Sequence, residues 1–152
     1  MKLFIIWPGK IKNTHMNFIA EEYCKKIEKM IRFQLVQIRE NKRDSSRRLL
    51  DEKKLIEEKI PASSYLIVLD AKGTQSSTED LLKRITSLMN SSYKNLVFIM
   101  GSHYGLHSDI KQHANFALAL SSMDLPHELT RVILLEQIYR ILAYMNNVPY
   151  AK

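Results

Sequence analysis

Apolar positions along this chain fall into two patterns, short continuous runs of strand length and longer stretches at helical spacing. Residues 2–7 form an apolar run halted by Pro8-Gly9, which predicts a buried strand. Thr14 is a candidate N-cap, and Met16, Ile19, Ala20, Tyr23, Ile27 and Met30 share one helical face behind it. Residues 33–38 are apolar and β-branched enough for a second strand. Asp44 is placed to cap a second helix, with Leu49, Leu50, Leu55, Ile56 and Ile60 facing inward and Pro61 ending it. A third strand is expected at 65–69, followed by a turn from Asp70 to Gly73. Ser76 and Glu79 have the spacing of a capping box for a helix running to Met89. Residues 96–100 predict a fourth strand closed by Gly101, 108–114 a short helix, and 116–120 a fifth strand. The last helix is expected to begin near Asp124, to hold Pro126 in its first turn, and to run to about Met145.

Strands alternating with helices predict an α/β fold, a mostly parallel sheet with helices on both faces, in one domain spanning residues 1–152. The final helix is apolar on most of its circumference, from Leu129 through Ile133 and Ile138 to Tyr144. Such a helix has to be covered all round, so a second subunit is expected against it. Glu136 and Arg140 stand four apart and can pair; Arg131 lacks an acid at that spacing and is freer to meet a phosphate or a partner.

Composition narrows the class. The single cysteine, Cys24, cannot pair within the chain and suits a reducing compartment. The leading apolar run is too short for a signal peptide, and no stretch nears the roughly 20 apolar residues of a membrane helix. A soluble cytoplasmic protein with no membrane partner is therefore expected. The net charge of +7 is unevenly spread: residues 1–60 carry 15 Lys and Arg against 9 Asp and Glu, residues 61–152 carry 8 against 7. The first half is thus suited to a polyanion, with the densest basic run from Arg39 through Lys42 and Arg43 to Arg47 and Arg48.

Several chemistries lack their residues. There is no dinucleotide fingerprint, no P-loop, no Gly-x-Ser-x-Gly elbow, and one cysteine with five scattered histidines has no zinc spacing, so no metal is expected. What remains are strand exits, where parallel sheets bind ligands. Three look suited: 69–73, 101–105 and 120–124, with Gly73, Gly101 and Gly105 able to bring backbone close to a flat ligand or to take positive φ. His103, His107 and His113 read first as surface or capping residues. His127, in the first turn of the last helix, is a weaker candidate for a substrate-side role.

The run Met123-Asp-Leu-Pro-His-Glu-Leu-Thr-Arg131, entering the last helix, carries a resemblance to a known family. With Gly9 to Lys12, Glu22-Tyr23, Gly73, Ser76-Ser77, Glu79, Phe98 to Gly101, Gly105-Leu106, Glu136 to Arg140 and Pro149-Tyr150, the chain resembles the SPOUT-class ribosomal RNA large subunit methyltransferase H family, over essentially its whole length. The resemblance implies a SPOUT-type α/β fold with a C-terminal trefoil knot and a homodimer. It also implies S-adenosyl-L-methionine as methyl donor and N3 of a pseudouridine in 23S rRNA of the assembled ribosome as acceptor. By position it assigns cofactor binding to Leu69, Gly101, Leu120, Ser121, Ser122, Met123, Asp124 and Leu125, and catalytic roles to Arg131, Tyr150 and Lys152. Three departures stand out. Ser102 replaces the second glycine of a pair, Asp124 replaces a threonine and is expected to cap the last helix, and Ala151 replaces a tail histidine. The last opens a second reading, a ribosome- or cofactor-binding homologue with weak or lost catalysis.

Overall fold

The computed structural model describes residues 1–40 and 45–150. Five strands form one parallel sheet in the order β2-β1-β4-β3-β5. They are β1 (Lys2–Pro8), β2 (Phe33–Ile38), β3 (Ser64–Gln75), β4 (Asn95–Ile99) and β5 (Phe116–Ala119). Between and after them run α1 (Thr14–Glu28), α2 (Ser45–Glu57), α3 (Thr78–Met89), α4 (Ser108–His113) and α5 (His127–Met145).

Period-two alternation on the strands separates two cores. Leu3, Ile5 and Trp7 of β1 and Leu96 and Phe98 of β4 pack with Ile27, Leu81, Ile85, Leu134 and Leu135 of α1, α3 and α5. Ile6, Val97 and Ile99 face the other way, onto Ile56 of α2 and Ile110 of α4. Both faces are therefore covered, as the near-continuous apolar strands require. Among the described residues no helix is long and apolar enough to cross a membrane.

Several boundaries differ from expectation, each for a local reason. Asn13, not Thr14, caps α1, its side chain accepting from the Met16 amide at 3.0 Å; of two adjacent capping residues the stronger one takes the position. Ile19 is 43% exposed and Leu50 41%, so both stand outside the core stripes assigned to them. The Asp44 cap lies outside the described residues. Ser77 caps α3, accepting from the Asp80 amide, and its hydroxyl donates to the Asp80 carboxylate at 2.7 Å; the expected Ser76–Glu79 box is displaced by one residue. Leaving β3 at Gln75 uses Ser76 as the link into the helix.

The expected turn at 70–73 does not end β3. Leu69 and Thr74 both pair with Leu118, so the intervening residues bulge out and the strand resumes to Gln75. Gly73 makes this possible, since a Cβ there would stand 2.6 Å from the Ala117 carbonyl oxygen. The last helix begins at His127 rather than near Asp124, because Leu125 precedes a proline and is held out of the helical region. Pro126 occupies the cap position in extended geometry and supplies no side-chain cap. Asp124 consequently caps nothing.

α5 is covered largely by its own chain: nine of its residues, from Arg131 to Ala143, are buried. Its large exposed apolar side chain is Tyr144, 72% accessible. The enclosure expected from a second subunit is thus mostly supplied by α1, α3 and the sheet.

Candidate functional site

β4, β3 and β5 lie side by side, so their carboxyl ends open at one place. The β3 bulge brings Leu69, Asp70 and Ala71 there, β4 delivers Met100, Gly101 and Ser102, and β5 leads into Leu120, Ser121 and Met123 to Leu125. Together with Leu118 and, from the start of α5, His127 and Thr130, they line a small open cleft of about 190 Å³.

Seven of the eight residues assigned to the cofactor line this cleft: Leu69, Gly101, Leu120, Ser121, Met123, Asp124 and Leu125. Ser122 belongs to the same loop, is exposed, and stands outside the lining. The loop is partly fixed by its own side chains, the Ser121 hydroxyl accepting from the Met123 amide at 2.9 Å. Asp124, freed from capping, is one of the residues that line the cleft. Met100, Leu118 and Thr130 also line it and had no signal in the sequence beyond their place next to strand ends.

The glycines meet the expectation in part, Gly105 by taking positive φ. A Cβ on Gly101 would meet the Gly105 carbonyl oxygen at 2.2 Å, so the close approach it permits is to the chain itself. Gly105 takes φ +86°, a conformation in which side chains are strained. The two close a tight turn that forms part of the cleft wall. Ser102 is 5% exposed, and its hydroxyl has no hydrogen-bond partner among the described residues. A buried hydroxyl left unpaired at the wall of a cleft is a group for a ligand to satisfy.

Beneath the cleft, Arg131 is 3% exposed, contrary to its reading as a free cation. Its guanidinium donates to the Pro8 carbonyl at 2.5 Å and to His127 Nε2 at 2.8 Å, and lies 5.0 Å from the centre of the Trp7 ring. Burial lowers its pKa to about 10, against the opposing pull of Glu128 and Glu40, so it stays charged at neutral pH. Since a guanidinium only donates, His127 Nε2 accepts and the imidazole is neutral with its proton on Nδ1. Burial above all, then Arg131 and His103, push His127 down to about 4, opposed by Glu40 and Glu128. Glu128 anchors the same corner, accepting from the Lys12 amide at 2.5 Å and the Asn13 amide at 3.1 Å.

Tyr150 sits elsewhere. Its hydroxyl is 3.1 Å from that of Tyr23 and donates to Glu136 Oε1 at 3.3 Å, while its ring lies edge-on to Tyr139 at 4.6 Å and 5.3 Å from the Arg140 guanidinium. Burial and the contacts with Tyr23 and Glu136 hold its phenol above the usual range. Glu136 and Arg140 pair at 2.6 Å as their spacing predicts. From His127 to Glu136 along α5 is about 13 Å at the helical rise, so one chain does not bring Tyr150 into the cleft. Lys152 lies outside the described residues. His107 caps α4 and His113 hydrogen-bonds the Asp109 carbonyl, as local residues. Cys24 is half-buried with its thiol pushed up to about 12 by burial, then by Glu28 and Glu21, in keeping with packing.

A parallel α/β sheet with its cleft formed at strand exits and the start of the last helix defines a small-ligand-binding class. The family described as Predicted SPOUT methyltransferase matches residues 1–151. Ribosomal RNA large subunit methyltransferase H of Clostridium kluyveri is 32% identical and that of Streptococcus uberis 31%, each with all of this chain and all of the relative covered. Solved structures from Bordetella pertussis Tohama I (TM-score 0.59, 10% identity, 93% of this chain and 94% of that one) and Haemophilus influenzae Rd KW20 (TM-score 0.55, 13% identity, 99% and 70%) share the fold. The chain belongs to the SPOUT methyltransferase family, and its relatives place it with ribosomal RNA large subunit methyltransferase H.

Proposed function

We propose that the protein is an S-adenosyl-L-methionine-dependent methyltransferase that modifies N3 of a pseudouridine in 23S rRNA of the assembled ribosome, in the cytoplasm where ribosomes are. The observation that carries this reading is the convergence of Leu69, Gly101 and the 120–125 loop on one cleft. Full-length similarity to relatives bearing an enzyme name favours catalysis over a binding-only homologue.

The donor supplies a methyl group on a positively charged sulfur, so the protein's task is alignment, which can be worth roughly 7–11 kcal/mol. The residues present fit it. Ser102 offers an unpaired hydroxyl, and Asp124 offers a carboxylate for the sulfonium or amino group. His127, kept neutral, adds no positive charge beside a cationic ligand. Arg131 holds that imidazole in place from below.

The proposal includes a homodimer. Tyr150 stands apart from the cleft along α5, so a second subunit is what can join tail and cofactor site, with Tyr150, Lys152 and the base of α5 serving the acceptor. It also includes the C-terminal knot of an otherwise single unit, 1–152. β5 is at the sheet edge beside β3, yet α5 is fastened to Pro8, Lys12 and Asn13 at the end of β1. Residues 120–126 must therefore cross the ends of β3 and β4, where the 70–73 bulge and the 101–105 turn also lie. Electrostatic attraction of the rRNA comes from Lys10, Lys12, Arg39 and Arg47, exposed in the segments that follow the carboxyl ends of β1 and β2.

The test is transfer of labelled methyl from S-adenosyl-L-methionine to ribosomes lacking the modification. Label on one pseudouridine of the large-subunit rRNA is expected; ribosomes left unlabelled at saturating donor contradict the proposal.

A further inference from the structure

The 102–105 turn presents two aromatic rings that nothing in the cofactor site uses. Ser102 and Gly105 form an isolated antiparallel bridge, with the Gly105 amide donating to the Ser102 carbonyl at 2.9 Å. This is a β-turn whose two central residues, His103 and Tyr104, are thrown outward and exposed. The turn has little freedom, because Gly105 is at positive φ and its carbonyl fills the space beside Gly101. Tyr104 is 53% exposed, and His103 stands edge-on to it with ring centres 5.6 Å apart. From α2, the Arg48 guanidinium lies over the Tyr104 ring, 4.2 Å from its centre.

We propose that Tyr104, backed by Arg48 and flanked by His103, is a stacking platform for an unpaired base of the RNA substrate next to the methylated one. The inference rests on the rRNA reading above. Its support is geometric. Even with a cation over one face and His103 beside it, Tyr104 stays 53% exposed, which leaves ring surface for a base. The residues on either side of the two rings, Ser102 and Gly105, are walls of the cleft, so a base stacked on Tyr104 lies beside the reacting atoms. Single-stranded RNA is recognised by stacking unstacked bases on aromatic rings and guanidinium planes. A ring held on a locked turn loses little side-chain freedom when a base settles on it. Arg48 over the far face adds positive charge at the platform without needing a phosphate of its own.

The test is equilibrium co-sedimentation with ribosomes lacking the modification, over a salt series, for wild type, Tyr104→Ala, Tyr104→Leu and Tyr104→Phe. A stacked base is worth about 1–3 kcal/mol, so Tyr104→Ala and Tyr104→Leu should raise Kd roughly 5- to 150-fold. Tyr104→Phe should stay close to wild type, and the salt slope should not change, because every cation that neutralises a phosphate is still in place. Calorimetry with S-adenosyl-L-methionine should give the same Kd for all four proteins, which also reports that they are folded. Unaltered ribosome binding by the Ala and Leu variants overturns the platform, as does an equal loss in cofactor affinity, which would assign the ring to the donor. Ribosome binding that depends on Tyr104 without any methyl transfer sinks the enzymatic reading and leaves the platform standing. Normal transfer with binding indifferent to Tyr104 does the reverse.

Discussion

Gly101 shows how narrowly the site is built. A methyl group there would overlap the Gly105 carbonyl, a backbone atom that cannot swing aside. Gly101→Ala should cost about 1–3 kcal/mol in denaturant unfolding by overpacking, and should weaken donor binding because the turn forming the cleft wall must shift. His127 makes a second prediction, on pH. Its pKa is about 4 in the fold and 6.5 unperturbed, so between those values the unfolded chain binds the extra proton. Stability from this group is present above about pH 6.5 and is lost as pH falls toward 4. Unfolding free energies at pH 7.5 and 4.5 should differ less in His127→Gln than in wild type. At this scale the three strand exits are legible in the sequence because glycine and proline punctuate them. The burial of Arg131 is not, since the carbonyl that receives it lies on Pro8, far away in sequence. Nor is the state of the Ser102 hydroxyl, whose lack of a partner among the described residues is a property of the folded turn.

Elements follow from period and punctuation more faithfully than their ends do. All five strands and five helices fall where the apolar runs and helical stripes predict; their ends shift where two capping residues adjoin, where β3 bulges and runs on to Gln75, and where Pro126 delays α5 to His127. The α3 cap gives a direct check. Ser77→Ala should destabilise by about 1 kcal/mol, while Ser76→Ala should be close to neutral, measured by thermal or denaturant melts. Equal effects would mean that both boxes are used. At the other end of the cleft, α5 has no side-chain cap, and Glu128 in its first turn is spent on the Lys12 and Asn13 amides of the β1–α1 connection. Glu128→Ala leaves two amides without their charged acceptor and should cost about 1–2 kcal/mol. The loss should appear as faster hydrogen exchange at Lys12 and Asn13. The β3 bulge is hidden in the sequence because a turn signal and a bulge signal share the same residues. Only the pairing of Leu69 and Thr74 with one residue of β5 distinguishes them.

At the scale of the molecule, the charge and the cleft both lie toward the carboxyl ends of the parallel strands. Replacing Arg39 and Arg47 together should weaken ribosome binding most at low salt and flatten its salt dependence by roughly one unit of slope for each phosphate no longer neutralised. A slope identical to wild type would show these residues to be solvated surface. The separation of Tyr150 from the cleft gives the proposed dimer a functional test. Subunits carrying Gly101→Ala mixed with subunits carrying Tyr150→Phe should regain part of the methyl transfer that each homodimer lacks, since one site of the hybrid combines an intact cleft with an intact tail. No regain would place both contributions in one subunit. Neither arrangement is legible in the amino-acid order, because a helix that returns to β1 and a tail that leaves the cleft are consequences of long-range closure.

Whether the three strand exits form the donor site is read out residue by residue by backbone amide NMR during titration with S-adenosyl-L-methionine. Shifts should concentrate at Leu69 to Ala71, Gly101 to Gly105 and Leu120 to Leu125, with the lower sheet edge unmoved. Shifts gathered at the amino ends of the strands, or none at saturating donor, would contradict that placement.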